Sequence, residues 1–204
     1  MSRVAAIVLA AGRSTRMGAV NKLTTALGGR PLVAHAVRAA LGSKARPVVV
    51  VTGHEAQAVK EALTGLPITS VHNAAYATGL ASSLQTGIAA LPADVDGALI
   101  LLGDMPAVSA SLLDRLIDAF AHFSDPAHPY AAVVPTLEGQ WGNPVLLARR
   151  LFSPVMQLAG DEGARRLLAR ERVLEIAVDD PSIVADVDTP DALADIARNF
   201  PPAL

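Results

Sequence analysis

Two groups of residues in this chain have the types and spacing to act on an anion. The first is Arg16 and Lys22, in the loop sequence AGRSTRMGAVNK that follows the apolar run Val4 to Ala11 and contains Gly12 and Gly18. Glycine allows backbone turns that larger residues resist, and the amides it exposes can converge on phosphate oxygens. Arginine adds a planar fork of donors and lysine a mobile point charge. A lone cation in a loop is usually just solvated, but two in a glycine loop after a buried strand point to a phosphate-rich ligand. Neither common nucleotide signature accounts for the loop, since it has no Gly-Lys-Ser/Thr and no G-x-G-x-x-G.

The second group is acidic. Asp104 follows the apolar run Gly97 to Leu102 in GDMP, where a carboxylate can either hold a hard cation such as magnesium or cap a turn. Asp186 and Asp188 share one side of VADVDTPDAL, and the metal reading of Asp188 gains from Asp104 lying across the same strand ends. Asp191 belongs instead to a helix start, with Thr189 as N-cap and Pro190 as first residue. Asp161 in GDEGARRLL could cap its helix or serve the site, with neither reading favoured. Trp141, the sole tryptophan, lies in GQWGNP, which could close over a flat ligand or pack into the core.

Other chemistries find little support. His35 reads as structural, while His54 and His72 end strands but lack metal-site spacing. No serine lies in a nucleophile elbow, so Ser14, Ser82 and Ser83 serve as hydrogen-bonding groups. With no cysteine, disulfides, zinc thiolates and thiol catalysis are excluded.

The elements that must position these groups alternate. Apolar runs at Val4 to Ala11, Pro47 to Val51, Leu66 to His72 and Gly97 to Leu102 predict strands. Helical patterns through HAVRAAL (with Pro31 at the first helical position), EAQAVKEAL, Ala81 to Leu91 and Ser109 to His122 separate or follow them. This rhythm predicts an α/β fold, a mostly parallel sheet with helices on both faces and right-handed crossovers. Ligands then bind beyond the carboxyl ends of the strands, where strand order reverses, and Gly12, Thr52 to His54 and Asp104 fall at such ends.

Past Asp125 the rhythm changes. Strands are expected at Ala131 to Val134 and Val145 to Ala148, helices near Arg149 to Leu158 and Gly163 to Arg170, then strands at Val173 to Val178 and Ile183 to Val187. A closing helix runs from Pro190 to Asn199. The expected organisation is one domain over residues 1–204, with 126–170 as an acceptor-binding subdomain.

Composition sets the frame. The 204 residues are 51% hydrophobic and 18% charged, as befits a globule with a full core. One tryptophan, two tyrosines and four phenylalanines leave that core to aliphatic side chains. A net charge of −2 gives no reason to expect nucleic acid or an anionic membrane as partner. The N-terminal apolar run is short and β-branched, a strand rather than a secretory signal, and no run reaches the roughly 20 residues of a membrane span. A cytoplasmic protein is expected.

Together these motifs resemble a known family. LAAGRSTRMGAVNK from Leu9 to Lys22 is similar to the signature LAAGxSxRMGxxK of the MobA-like nucleotidyltransferases that mature molybdenum cofactor. GDMP, GNPVLL, GDEGARRLL and DVDTPDAL follow in the same order, so the resemblance covers nearly the whole chain, and the motifs are most like the cytidylyltransferase branch. It implies a three-layer Rossmann-like nucleotidyltransferase fold and transfer of CMP from CTP to the terminal phosphate of molybdopterin, with release of pyrophosphate.

Residue by residue, it implies that Leu9, Ala10, Ala11 and Gly12 cradle the nucleotide, with Arg16 and Lys22 on its phosphates. Asp104 and Asp188 would hold Mg2+. Gly79, Ser82 and Ser83 would help select the base, and Gly142, Asn143 and Pro144 would face the pterin beside Trp141. Ala11 resembles the cytidine-using branch, where the guanosine-using one tends to have glycine. Trp141 departs from the pattern, since relatives often carry a basic residue there. A receiving molybdoenzyme or its chaperone is a further expected partner. The competing expectations are GTP as donor, a sugar phosphate or methylerythritol phosphate as acceptor, a redox enzyme on the same scaffold, or a non-catalytic carrier of cofactor.

Overall fold

In the computed structural model, which describes residues 2–14, 21–122 and 129–200, the opening apolar run is strand β1, Val4–Ala10, buried at every position. Its neighbours explain why. Strand β4 (Val48–Thr52) pairs with it in parallel on one side and β6 (Gly97–Leu102) on the other, so Ile7 lies in register with Val49 and Ile100. A strand flanked on both edges and covered on both faces must be apolar throughout.

The face of β1 formed by Val4, Ala6, Val8 and Ala10 packs with helices α1 (Leu32–Gly42) and α4 (Ala110–His122). The opposite face, with Ile7, Leu9 and Ala11, meets α3 (Leu80–Ala89), α5 (Phe152–Val155) and α6 (Ala164–Leu168). The result is three layers, as the alternation of strands and helices predicts. A two-residue hairpin joins β2 (Ala26–Leu27) to β3 (Arg30–Pro31). Its loop, Gly28 and Gly29, has φ of 55° and 84°, the sign that such tight hairpins demand.

The remaining elements are α2 (Ala56–Ala62), β5 (Thr69–His72), β7 (Ala132–Leu137), β8 (Gln140–Trp141), β9 (Val145–Ala148), β10 (Val173–Ala177) and α7 (Pro190–Asn199). The main sheet runs β10-β7-β9-β6-β1-β4-β5, with β8 paired to β7. From β1 the chain moves outward through β4 and β5, then returns to the other side of β1 for β6. That reversal opens a crevice at the carboxyl ends of β1 and β6. Strand β9 is antiparallel to both β6 and β7, so the strands of residues 126–170 extend the main sheet. No described helix is long and apolar enough to cross a membrane.

Three expectations change. Pro31 stands just before α1, as its N-cap residue, and not at its first position. Residues 149–158 form a 3-10 turn followed by the short α5 in place of one helix. Ile183 to Val187 is not a strand: Pro181–Ile183 is a 3-10 turn capped by Asp180, whose carboxylate accepts from Ser182 N at 2.9 Å. Ile183 and Val187 are fully buried, so the apolar spacing that reads as a strand marks two anchors of an irregular segment.

Helix α3 lies close on β1 because Gly87 has no side chain. A Cβ there would stand 2.5 Å from Ile7 Cγ2 and 3.1 Å from Val51 Cγ2. Gly87→Val should therefore lower the unfolding free energy by about 1–3 kcal/mol, the usual penalty of overpacking. Urea denaturation measures it, and an unchanged midpoint would show that the helix can move away.

Candidate active site

Past β1 the chain continues through Ala11 to Ser14, and past β6 through Gly103 to Asp104. Gly103 N donates to Leu9 O at 2.9 Å, tying the two strand ends together. Val187 N then donates to the carbonyl of Asp104 at 3.0 Å, and because Val187 is anchored in the core, its neighbours Asp186 and Asp188 are carried to the same place. One carboxylate oxygen from each of Asp104, Asp186 and Asp188 lies within 4.8 Å of the others.

Lys22 reaches this cluster from the β1 side. Asn21 caps a 3-10 turn over Lys22–Thr24, its side-chain oxygen accepting from Leu23 N at 3.0 Å. Lys22 N donates to Ser14 Oγ at 3.3 Å, and Leu23 is buried. With its root fixed, the lysine places Nζ 2.6 Å from Asp104 Oδ2 and 2.6 Å from Asp188 Oδ1. Burial by itself lowers the pKa of Lys22, but the charges and hydrogen bonds of Asp104 and Asp188 outweigh it, and the net shift is upward. The stabilisation from this pairing is fully present below 10.5 and is lost as pH rises through the higher folded value.

Asp186 keeps an exposed flank. Its pKa is nevertheless raised, first by the desolvation it does suffer and then by the charges of Asp188 and Asp104; its own backbone amide and Lys22 work the other way.

The opposite wall is built on Asn73, buried at the end of β5. Its Nδ2 donates to Ser82 Oγ at 2.9 Å and Ser83 Oγ at 3.0 Å, and its Oδ1 accepts from Ala75 N at 2.9 Å. These bonds hold the loop before α3 against the helix. Gly79, with φ of 115°, is the N-cap residue of α3. A Cβ on it would stand 2.3 Å from the backbone of Gly160, whose carbonyl accepts from Ala81 N at 3.0 Å. The contact brings Asp161 to the cavity.

Between these walls lies a cavity of about 490 Å3, lined by Leu9, Ala11, Gly12, Lys22, Gly79, Ser83, Asp104 and Asp188, all of them residues singled out in the sequence. Arg13, Tyr76, Leu80 and Asp161 are among the further residues that line it. Asp161 is not a helix cap, since Gly163 fills that position on α6. Ala10 packs into the core on the far face of β1. The Ser82 hydroxyl lies within bonding distance of the carbonyls of Ala75 and Gly79. Arg16 and Gly18 lie outside the described residues.

Trp141, Gly142, Asn143 and Pro144 stand away from the lining. Trp141 Nε1 donates to Glu175 at 2.8 Å, and its carbonyl accepts from Arg165 at 2.8 Å. Gly142 packs so closely on Ile183 that a Cβ would fall 2.5 Å from its side chain, and Asn143 N donates to Ile183 O at 2.7 Å. These two residues hold the segment that carries Asp186 and Asp188. His35 is structural, its Nε2 2.9 Å from the carbonyl of Leu27. His54 stands with its ring 6.0 Å from that of Tyr76.

Comparison with known proteins bears on this cavity. The family described as MobA-like NTP transferase domain matches residues 6–176. The bifunctional protein GlmU of Kineococcus radiotolerans is 46% identical over 120 residues, which are 57% of this chain and 24% of that protein. The matched stretch is thus about a quarter of the length of this curated relative. Among solved structures, Rv0371c from Mycobacterium tuberculosis H37Rv superposes with a TM-score of 0.83 at 26% identity, covering 97% of this chain and 98% of that one. A nucleotidyl transferase from Methanothermobacter, Mth528, gives 0.81 at 27% identity, covering 98% of each chain. Rv0371c has also been solved in complex with manganese, and that structure superposes at 0.79 with 26% identity, covering 98% of this chain and all of the other.

The charge cluster generates a stability prediction. In chelator-treated protein at neutral pH, Asp186→Asn should melt higher than the parent, because it removes a carboxylate that folding places beside two others. A carboxyl whose folded pKa is raised weakens stability as pH rises through it. The difference should therefore close as pH falls toward the ordinary value of 3.8. Melting curves across pH read this directly, and a parent more stable than the variant at pH 7 would contradict it.

Proposed function

The chain belongs to the MobA-like NTP transferase family, and from that premise we propose that it transfers CMP from CTP to the terminal phosphate of molybdopterin, releasing pyrophosphate. The observation that carries this reading is the meeting of Lys22 with Asp104 and Asp188 on one cavity at the switch point of the sheet. An acceptor phosphate is already ionised near neutral pH, so the reaction demands no strong general base. Its oxygen forms the new bond to the α-phosphorus as the bond to the pyrophosphate oxygen breaks in line. The protein has to align the groups and offset their charge.

Lys22 and Arg13 supply positive charge on the β1 side, and Arg16 is assigned to the phosphates by its place in the family motif. Three carboxylate oxygens within 4.8 Å are a donor set that suits Mg2+ or Mn2+, which favour hard oxygen ligands; Asp104 and Asp188 would hold the ion, with Asp186 beside them. When bound, such an ion offsets negative charge on the phosphates. Gly79 and Ser83, fixed through Asn73, face the cavity where the base would be read. Ala11 supports cytidine over guanosine through its likeness to the cytidine-using branch.

A second reading, a different phosphorylated acceptor such as a sugar phosphate or methylerythritol phosphate, is favoured by Trp141. Its ring N–H is committed to Glu175, and it brings no positive charge where relatives often carry a basic residue.

A pyrophosphate-release assay tests both readings. Turnover is expected with CTP and molybdopterin and not with the other acceptors; turnover only with a sugar phosphate or methylerythritol phosphate would select the second reading, and a clear preference for GTP would remove the cytidine assignment. Asp104→Ala should abolish release. Lys22→Ala should lower kcat/KM by roughly 100- to 1,000-fold, the usual cost of removing one transition-state charge partner, and an unchanged value would take Lys22 out of the site.

A further inference from the structure

A cation already stands between the carboxylates that the proposed reaction assigns to a divalent ion. The ammonium of Lys22 is 2.6 Å from an oxygen of Asp104 and 2.6 Å from an oxygen of Asp188, and only 11% of its side chain is exposed. Magnesium binds carboxylate oxygens at about 2.0–2.1 Å. An ion that took both of these oxygens would be held within a few ångströms of the ammonium, like charge against like charge, with no layer of water between them. The two cations are rivals for one pair of oxygens.

We propose that Lys22 is a built-in counterion that competes with the divalent cation for Asp104 and Asp188, and that its ammonium passes to the phosphates of the ligand when the ion takes the carboxylates. The proposal rests on the metal reading given above and adds an exchange to it. The root of Lys22 is fixed by the Asn21 cap and by its bond to Ser14, while its four-carbon stem can turn without moving the backbone. The place to turn into is adjacent, because Lys22 lines the cavity together with Gly12 and Arg13. Charge favours the exchange. Among the described residues one ammonium stands beside three carboxylates, and a doubly charged ion offsets more of their charge than a singly charged one.

One residue thereby does two jobs at different moments. Before loading, it keeps the acids from repelling each other. Afterwards, it is a phosphate ligand that becomes available only when the metal is in place. A nucleotide entering with its ion would meet a freed lysine, and one entering without the ion would meet a lysine still bound to the acids.

The test is Mn2+ binding to nucleotide-free protein, followed by the electron paramagnetic resonance of free Mn2+. Lys22→Met should bind Mn2+ about tenfold more tightly than the parent, a coupling of ordinary size between two ligands of one site. Lys22→Arg, which keeps the charge, should stay near the parent, and adding Asp104→Asn to Lys22→Met should abolish the gain. Equal or weaker binding by Lys22→Met, with the parent still binding Mn2+, overturns the competition and leaves the metal reading standing. No binding by either protein overturns both. In the unaltered protein, acetylation of the Lys22 amine, read by mass spectrometry, should rise several-fold on adding Mn2+; an unchanged rate also overturns the exchange.

Discussion

Three carboxylates brought within 4.8 Å of one another are the constraint on which the rest of this structure depends. At an effective dielectric near 20, two unit charges at that separation repel by roughly 3 kcal/mol, so the cluster forms only where other forces hold it. Lys22 supplies one such force, from 82 and 166 positions away along the chain. The hydrogen bond from Val187 N to Asp104 O supplies another. It fixes the backbones of two acidic segments to each other whatever their side chains prefer. Beneath both lies the apolar anchoring of Leu23, Ile183 and Val187, which outweighs a local repulsion that side-chain pairing alone would have to meet.

The topology explains why the cluster forms at this place. Strands β1 and β6 are neighbours in the sheet although β4 and β5 intervene in sequence, so their ends diverge into separate loops and leave a crevice. One loop delivers a cation and the other an acid. The outer strands serve the same end from a distance. The β7-β8-β9 region turns at Gly142 and Asn143, and that turn grips Ile183, fixing where Asp186 and Asp188 can lie. A contact that looks peripheral in the sheet thus sets the position of two side chains in the crevice.

How much of this could be read from the sequence follows from the range of the interactions involved. The buried strands were legible because β1 and β6 are continuous apolar runs, and β6 and α7 have the bounds that their residue patterns suggest. Thr189 as a cap was legible because capping is local, and its hydroxyl does accept from Ala192 N. The segment from Ile183 to Val187 was misread because its backbone bonds go to Asn143 and Asp104, partners that no local pattern reveals. Asp161 reads equally as a cap or a site residue in the sequence, because what brings it to the cavity is the contact between Gly79 and Gly160. Asn73 gave no signal at all, since one asparagine after a strand reads as a turn until Ser82 and Ser83 are placed beside it. Lys22 was legible as a cation near an anion, but the anions it meets in this structure belong to the protein.

That last point bears on the acceptor. Trp141 has its ring N–H bonded to Glu175 and its carbonyl to Arg165, and the four residues from Trp141 to Pro144 do not line the cavity. Within the cavity the described cations are Arg13 and Lys22, both on the β1 side. Under the proposed reaction, the acceptor phosphate and the nucleotide phosphates would then draw on the same cationic wall. In-line attack brings nucleophile and leaving group to opposite sides of one phosphorus, so a shared wall can contact both. It also makes acceptor identity depend on shape beyond the phosphate. Charge at that wall selects for a phosphate, and a sugar, a pterin or a polyol must be distinguished by what surrounds it.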